Sequence, residues 1–325
     1  MQTAVRWGFL GTGMIARKVA AELPAARRAE LIAVGSRSVD RAQQFADMFA
    51  SERYGSYETV LADPDVDAVY VSLPNGLHAE WSMRALRAGK HVLCEKPLAR
   101  NHAEAEAMFA TARECERFLV EAFMYRCNPA IERLIELVRD GAVGSVRVVR
   151  TNFTFHRPVA SSDARYHPQQ AGGALMDVGC YCVNLSRAVV GREPSRVHCV
   201  AHVHESGVDD YAAGVLDFQG ETVAAFTCGM TVPSDRRACI AGSEGYIQLD
   251  DPWFADGQLT LVRRAPQGER PEAIRVEVPR GQYALQLDAF AATVLDGAPP
   301  RLAPEDSLGN MQVLDALRAS AGLGY

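Results

Sequence analysis

Val5-Arg6-Trp7-Gly8-Phe9-Leu10-Gly11-Thr12-Gly13-Met14-Ile15-Ala16 is the stretch on which the reading of the fold turns. Val5 to Leu10 reads as a buried strand, and a helical run follows Gly13 to about Glu22. Between them stands G-x-G-x-x-A, in the strand–turn–helix setting that a dinucleotide fingerprint requires. Gly11 permits the tight turn. Gly13 lets a pyrophosphate approach the backbone, and Ala16 keeps the helix close to the sheet. The helix N-terminus, with Thr12, Met14 and Ile15 around it, offers N–H groups and a partial positive charge to phosphate. The bland alternative is a tight turn with no ligand.

Working outward, Leu31-Ile32-Ala33-Val34-Gly35 is the second strand, and Ser36-Arg37-Ser38 follows it. A site built for NAD usually places an acid here, on the ribose 2′-OH. A hydroxyl and a guanidinium instead suit a 2′-phosphate, so the reading favours NADP over NAD, with Arg41 one turn on as a second contact. Asp40 is the competing feature, a late acid for the ribose or, as preferred, a residue on the face of the helix that begins near it. Strands at 68–73, 91–95 and 118–122 then alternate with helices, which predicts a doubly wound parallel sheet. Ligands bind at the C-terminal strand ends of such a sheet. Leu73, Pro74 and Asn75 are therefore expected over the cofactor. His78 opens the next helix, where it joins them or serves as a capping or packing residue. At Glu95-Lys96-Pro97 another strand stops abruptly. Proline fixes its own φ and biases Lys96 away from the α region, so the corner is stiff with Lys96 at its tip.

The chain of 325 residues is long enough for two domains. Its 48% hydrophobic and 23% charged residues are those of an ordinary globular protein, and a net charge of −6 argues against a nucleic-acid partner. Eight cysteines without a CxxC pair read as reduced thiols in a cytoplasmic protein. The N-terminus carries no signal-peptide pattern, and no apolar run has the length of a membrane span.

The second half reads differently. Asn128-Pro129 is an N-cap and N1 pair opening a helix that Gly141 ends. A long strand at 146–155 and further strands near 196–204, 211–218, 222–230, 237–241, 246–250, 259–263 and 273–278 predict a large, mostly antiparallel sheet. Helices at about 282–296 and 305–320 close the chain. The expected division is a Rossmann domain over 1–123 and an α+β substrate-binding domain over 124–325. Between the strands, Asp177 to Leu185 reads as a helix, on which Asp177, Tyr181 and Asn184 form one stripe at i, i+4, i+7.

Gly11-Thr12-Gly13, Pro74-Asn75-Gly76-Leu77-His78 and Glu95-Lys96-Pro97, in this order and spacing, resemble the Gfo/Idh/MocA family of oxidoreductases over essentially the whole chain. The resemblance implies that Lys96 contacts a substrate hydroxyl or carbonyl beside the nicotinamide, with Glu95 supporting it among the cofactor residues. It also implies a homodimer through the C-terminal sheet. Many family members carry Asp-x-x-x-His where this chain has Asp177 and Tyr181. That departure resembles the dihydrodiol dehydrogenase branch, which also oxidises D-xylose with NADP, as do residues 171–183, 205–210 and 226–228.

A free tyrosine has a pKa near 10, and a neighbouring ammonium favours its phenolate while burial opposes this. The chemistry thus predicts Tyr181 as acid/base and Lys96 as its electrostatic partner, or the reverse, with Asp177 orienting the substrate or Lys96. Arg126, Phe155, Arg165 and Tyr283 are further candidates for substrate contact. His198, His202 and His204 alternate along a strand without a third ligand in view, and no metal is expected. The predicted activity is NADP-dependent hydride transfer on a sugar, cyclic polyol or vicinal diol. A nucleotide-linked keto-sugar reductase is the alternative. A non-catalytic dinucleotide-sensing regulator is disfavoured because Lys96, Tyr181 and Asp177 are all present.

Overall fold

The computed structural model describes residues 3–158, 160, 163–265 and 268–324. The first elements are β1 (Val5–Leu10), α1 (Met14–Glu22), β2 (Ala29–Gly35), α2 (Val39–Phe49), β3 (Arg53–Gly55) and α3 (Tyr57–Ala62). Then come β4 (Ala68–Val71), α4 (His78–Arg87), β5 (His91–Cys94), α5 (His102–Glu114), β6 (Leu119–Glu121) and α6 (Pro129–Arg139). The middle of the chain forms β7 (Val146–Thr154), α7 (Cys180–Val190), β8 (Arg196–Val203), β9 (Asp209–Phe218), β10 (Thr222–Gly229) and β11 (Ala238–Gly242). The last are β12 (Gly245–Leu249), β13 (Gln258–Ala265), β14 (Gly268–Arg275), α8 (Gln282–Asp296) and α9 (Pro304–Ser320).

Two compact units emerge, Met1–Cys127 with Arg280–Leu308 and Asn128–Pro279 with Gly309–Tyr325. The first holds a six-stranded sheet in the order β3-β2-β1-β4-β5-β6, parallel throughout. Strand order reverses between β1 and β4, which makes a topological switch point at their C-terminal ends. Trp7, Phe9, Val69, Tyr70 and Leu93 are fully buried, the pattern of a sheet covered on both faces. The edge strand β3 is too short and too exposed to announce itself in the sequence.

Helix α8 belongs to this unit. Phe290 packs on Trp7 with ring centroids 4.9 Å apart. The Glu22 carboxylate at the end of α1 accepts the N–H groups of Tyr283 and Ala284, both at 3.0 Å, where α8 begins. That is a negative charge on a helix N-terminus.

The second unit is built on an eight-stranded sheet, β14-β13-β12-β11-β7-β10-β9-β8, in which only β7 and β10 pair in parallel. The α+β class expected from the sequence is the one observed. Two details differ. The last strand is Gly268–Arg275, not 273–278, and pairs with β13 along its length. Its Glu269, Arg270, Pro271 and Glu272 show no apolar alternation, because an exposed edge strand is held by backbone pairing and tolerates proline. The helix expected from Asp177 begins earlier, as a π turn over Leu175–Gly179 that runs into α7. A π turn adds a residue to the helical step, so a stripe drawn at α-helical spacing does not carry cleanly across Gly179. Asn184, the third member of that stripe, is fully buried.

Candidate active site

In the first unit the ends of β1, β2 and β4 are tied together. The Gly11 N–H donates to the Gly35 carbonyl (2.9 Å), and the Ser72 N–H to the Leu10 carbonyl (3.0 Å). Gly11 has φ +107°, and a Cβ there would lie 2.8 Å from the Ser72 carbonyl oxygen. Only glycine fits. Gly13 differs. It is the N-cap of α1 with φ −71°, a conformation open to any residue. A Cβ on it would meet nothing within 4 Å. Helix α1 has no side-chain cap and no acid in its first turn. No side chain therefore caps its first N–H groups, and the turn at Gly13 leaves room beside them, a cradle that suits a pyrophosphate. Thr12 and Ile15 are half-buried around it and Met14 is exposed.

At the end of β2 the Ser36 N–H donates to the Gly55 carbonyl (3.0 Å), and the Ser36 hydroxyl accepts the Ser38 N–H (3.3 Å). Arg37 and Arg41 are exposed. Burial pushes the Tyr57 phenol up, and the adjacent Arg37 guanidinium opposes the shift. Asp40 lies exposed in the first turn of α2. The residues present at this strand end thus fit a phosphate better than a bare ribose hydroxyl.

The corner after β5 is braced from several directions. The Lys96–Pro97 peptide is cis. The Glu95 N–H donates to the Val71 carbonyl (3.0 Å), and the Leu98 N–H to the buried Glu121 carboxylate (2.9 Å). The fully buried Tyr70 hydroxyl donates to Glu95 at 2.5 Å, and the other Glu95 oxygen accepts the Lys96 N–H at 3.3 Å. Lys96 itself is half-buried. His78 was expected among the cofactor residues, yet it has no exposed surface. Its ring nitrogens sit 2.9 Å from the Pro97 carbonyl and 2.8 Å from the Leu73 carbonyl, and burial holds its pKa below the usual histidine range. It is a strut between the loop after β4 and the Lys96 corner. Pro74 and Asn75 are half-buried in that loop and Leu73 is buried. Tyr283 is buried, and burial, then the charges of Glu95 and Glu22, push its phenol well above the ordinary tyrosine range. Arg126 is engaged by Asp306 at 2.9 Å.

The second unit positions the other candidates. The buried Asp209 carboxylate accepts the Leu175 N–H (2.7 Å), anchoring the start of the π turn. On that turn Asp177 accepts from Arg165 Nε at 2.7 Å. Tyr181 is buried, with its ring edge-on to Phe153 (5.2 Å, 74°) and to Trp253 (5.6 Å, 70°). Phe153 and Trp253 stack on each other at 5.3 Å and 7°, and Trp253 Nε1 donates to the Asn152 carbonyl (2.9 Å). Phe155 is half-buried, and its N–H donates to the Gly229 carbonyl (2.9 Å). Sequence reasoning missed Tyr70, Phe153 and Trp253. An Asp-Asp-Pro turn precedes Trp253, and nothing local ties it to Tyr181. Among the described residues, no three His, Cys, Asp or Glu side chains are grouped to hold a metal. His202 pairs with Asp210 (2.6 Å) and stacks on Tyr211, while a register shift follows it and His204 turns to Ser206.

A parallel sheet with a glycine turn at its switch point, and a braced lysine at a neighbouring strand end, define a dinucleotide-binding protein joined to an α+β unit. Residues 5–123 match the model of the oxidoreductase family with an NAD-binding Rossmann fold, and residues 131–248 that of the GFO/IDH/MocA C-terminal domain. The chain belongs to the Gfo/Idh/MocA oxidoreductase family. It is 36% identical to D-xylose 1-dehydrogenase (NADP(+)) 2 of Haloferax volcanii, over 98% of each chain. It is 37% identical to human trans-1,2-dihydrobenzene-1,2-diol dehydrogenase, over 85% of this chain and 82% of the relative. A solved 3-ketoreductase from Actinomadura kijaniata, in complex with NADP and TDP-benzene, superposes with a TM-score of 0.89 at 33% identity, over 98% of both chains. Its relatives thus act on sugars and diols as dehydrogenases and reductases.

Proposed function

We propose that this protein is an NADP-dependent oxidoreductase acting on a carbinol or carbonyl carbon of a sugar, cyclic polyol or vicinal diol. The observation that carries the reading is the braced Lys96 corner, on the same sheet edge as the Gly11–Gly13 turn and the open N-terminus of α1. Gly11, Thr12, Gly13, Met14 and Ile15 hold the pyrophosphate, and Ser36, Arg37 and Arg41 the 2′-phosphate. Leu73, Pro74, Asn75, Glu95 and Lys96 flank the nicotinamide end. Bound NADP supplies the hydride acceptor, or its reduced form the donor. The ammonium of Lys96 stabilises negative charge on the substrate oxygen, and the Tyr181 phenol exchanges the proton that accompanies the hydride. The two roles can be exchanged. Asp177 orients the groups around them, and Arg126, Phe155 and Tyr283 are the remaining substrate candidates.

The functional division proposed is the one read from the sequence, 1–123 for the dinucleotide and 124–325 for substrate and dimerisation, with the difference that Arg280–Leu308 packs with the first unit. A homodimer through the large sheet is supported by exposed Val148 and its register partner Val223, with Val200 and Val215 on adjacent strands. Eight cysteines outside any disulfide support a cytoplasmic location, and no described helix is long and apolar enough to cross a membrane. The 3-ketoreductase likeness favours a second reading, reduction of a nucleotide-linked keto-sugar. Reduction of NADP+ and NAD+ over aldoses, inositols and diols, beside NADPH oxidation with keto-sugars, separates the two. Tyr181→Phe and Lys96→Met are each expected to lower turnover about 10²- to 10⁴-fold with NADPH still bound. Near-normal turnover in both removes the assignment. Dinucleotide binding with no turnover on any substrate returns the protein to the regulator reading.

A further inference from the structure

The charged side chains beside Asp177 form a chain. Arg157 Nε lies 3.5 Å from Asp163, Arg165 Nη1 lies 3.1 Å from Asp163, and Arg165 Nε lies 2.7 Å from Asp177. The two carboxylate side chains are only 11% and 13% exposed, so the acids are largely shielded, while Arg165 at 33% and Arg157 at 41% keep one side towards water. Arg165 is thus shared between two acids through different edges of one planar fork, which fixes its direction as a lysine could not. The charge of Asp177, ahead of that of Asp163, raises the arginine's pKa above its ordinary value.

The backbone of Arg165 is held as firmly as its head group. Its carbonyl accepts the Gly173 N–H at 2.8 Å, and a Cβ on Gly172 would come within 2.2 Å of that same oxygen. Asp163 also caps the short turn at Arg165 by accepting its N–H (3.2 Å). Asp177 in turn stands on a π turn anchored from the sheet by Asp209. The Gly173 N–H, the Leu175 N–H, the Asp177 N–H and the Asp177 carboxylate are thus each bonded, and Arg165 holds the first and the last of them.

We infer that Arg165 is a positioning residue rather than a substrate contact, aiming the Asp177 carboxylate and latching the segment at Asp163 to the π turn. The inference rests on the proposed place of Asp177 in the reaction.

Two double-mutant cycles test it, with Arg165→Met, Asp177→Asn and their combination. The first reads D-xylose oxidation with NADP+. Arg165→Met is expected to lower kcat about 10- to 100-fold with little change in KM, Arg165→Lys to recover part of it, and the double variant to be no slower than Asp177→Asn alone. Multiplying losses, or a rise confined to KM, would mean that Arg165 touches substrate directly and overturn the inference while Asp177 keeps its role. A normal Asp177→Asn enzyme removes Asp177 from the reaction and the inference with it. The second cycle reads chemical unfolding of the protein without cofactor or substrate, and so stands whether or not D-xylose is turned over. Coupling on the order of ten-fold in the unfolding constant is expected between the two positions, and its absence overturns the pair itself. Should Arg165→Met not fold, Asp163→Asn loosens the same latch from its other end, and unchanged kcat in that variant counts against the inference.

Discussion

Replacing Gly13 and, separately, Gly11 by alanine distinguishes a glycine kept for the fold from one kept for a ligand. Gly13 has extended, unstrained angles, and its Cβ would touch nothing within 4 Å. The folded protein without ligand should lose only the N-cap preference of glycine over alanine, about 0.5 kcal/mol, a shift of roughly 1–2 °C in melting temperature. Gly11 is held at φ +107°, which costs an alanine about 1–3 kcal/mol. Its Cβ would also press on the Ser72 carbonyl oxygen from 2.8 Å. The neighbouring Ser72 N–H is bonded to Leu10, so that backbone yields only at the cost of the β1–β4 junction. Overpacking of this kind adds about 1–3 kcal/mol. Gly11→Ala should therefore lose about 2–6 kcal/mol, a large part of the 5–15 typical of a domain. For NADPH the ranking reverses. The Gly13 methyl would stand in the approach to the first turn of α1, and a clash worth about 2 kcal/mol weakens binding roughly 30-fold. Circular dichroism melts and NADPH fluorescence titrations read the two effects independently. If Gly13→Ala bound NADPH as tightly as the parent, phosphates would not sit at that turn. A Gly11→Ala protein melting at the parental temperature would refute the steric argument.

Arg37→Asp should shift preference from NADP towards NAD, read as the ratio of kcat/KM for the two cofactors, and an unchanged ratio removes Arg37 from the 2′-phosphate site. Trp253→Ala deletes a fully buried ring against Phe153 and Tyr181, so a loss of about 3–5 kcal/mol in urea unfolding is expected together with reduced kcat. For His91, burial and then the charge of Arg117 lower the folded pKa to about 4, and its Nδ1 accepts the Phe118 N–H, which needs that nitrogen unprotonated. The unfolded chain takes up the proton near pH 6.5, so this contribution to stability is complete above that pH and disappears as pH falls towards 4. His91→Asn keeps an acceptor without the titration, and its urea midpoint should change less than the parent's between pH 7 and pH 4.5.

Much of the first unit was legible because its signals are local. Gly11 and Gly13, the alternation of apolar strands with helices, and the Asn128-Pro129 helix start each follow from a few neighbouring residues and their backbone preferences. The Asn128 side chain does accept the Ala130 N–H (2.9 Å) at the start of α6. The edge strand β14 escaped for the opposite reason, since its residues bury nothing and its order comes from its partner. For His78 the sequence leaves two readings open, over the cofactor or in the packing. Its place in the chain suggested a surface over the cofactor, and only packing shows a ring closed between two carbonyls.

By itself the sequence determined the class of fold, the glycine turn after the first strand and the proline-bound lysine corner, and it suggested Ser36-Arg37 as a phosphate contact. These are short-range consequences of glycine, proline and charge at given spacings. The tertiary structure alone decided what stands behind those residues. Tyr70 reaches Glu95 across 25 positions, Glu22 caps a helix 261 positions later, and Trp253 packs its ring against Tyr181. It also decided that Arg165, read as a substrate contact, is bonded to Asp163 and Asp177. Such pairings depend on which surfaces the chain brings together when it buries its apolar faces, and no local pattern records that choice.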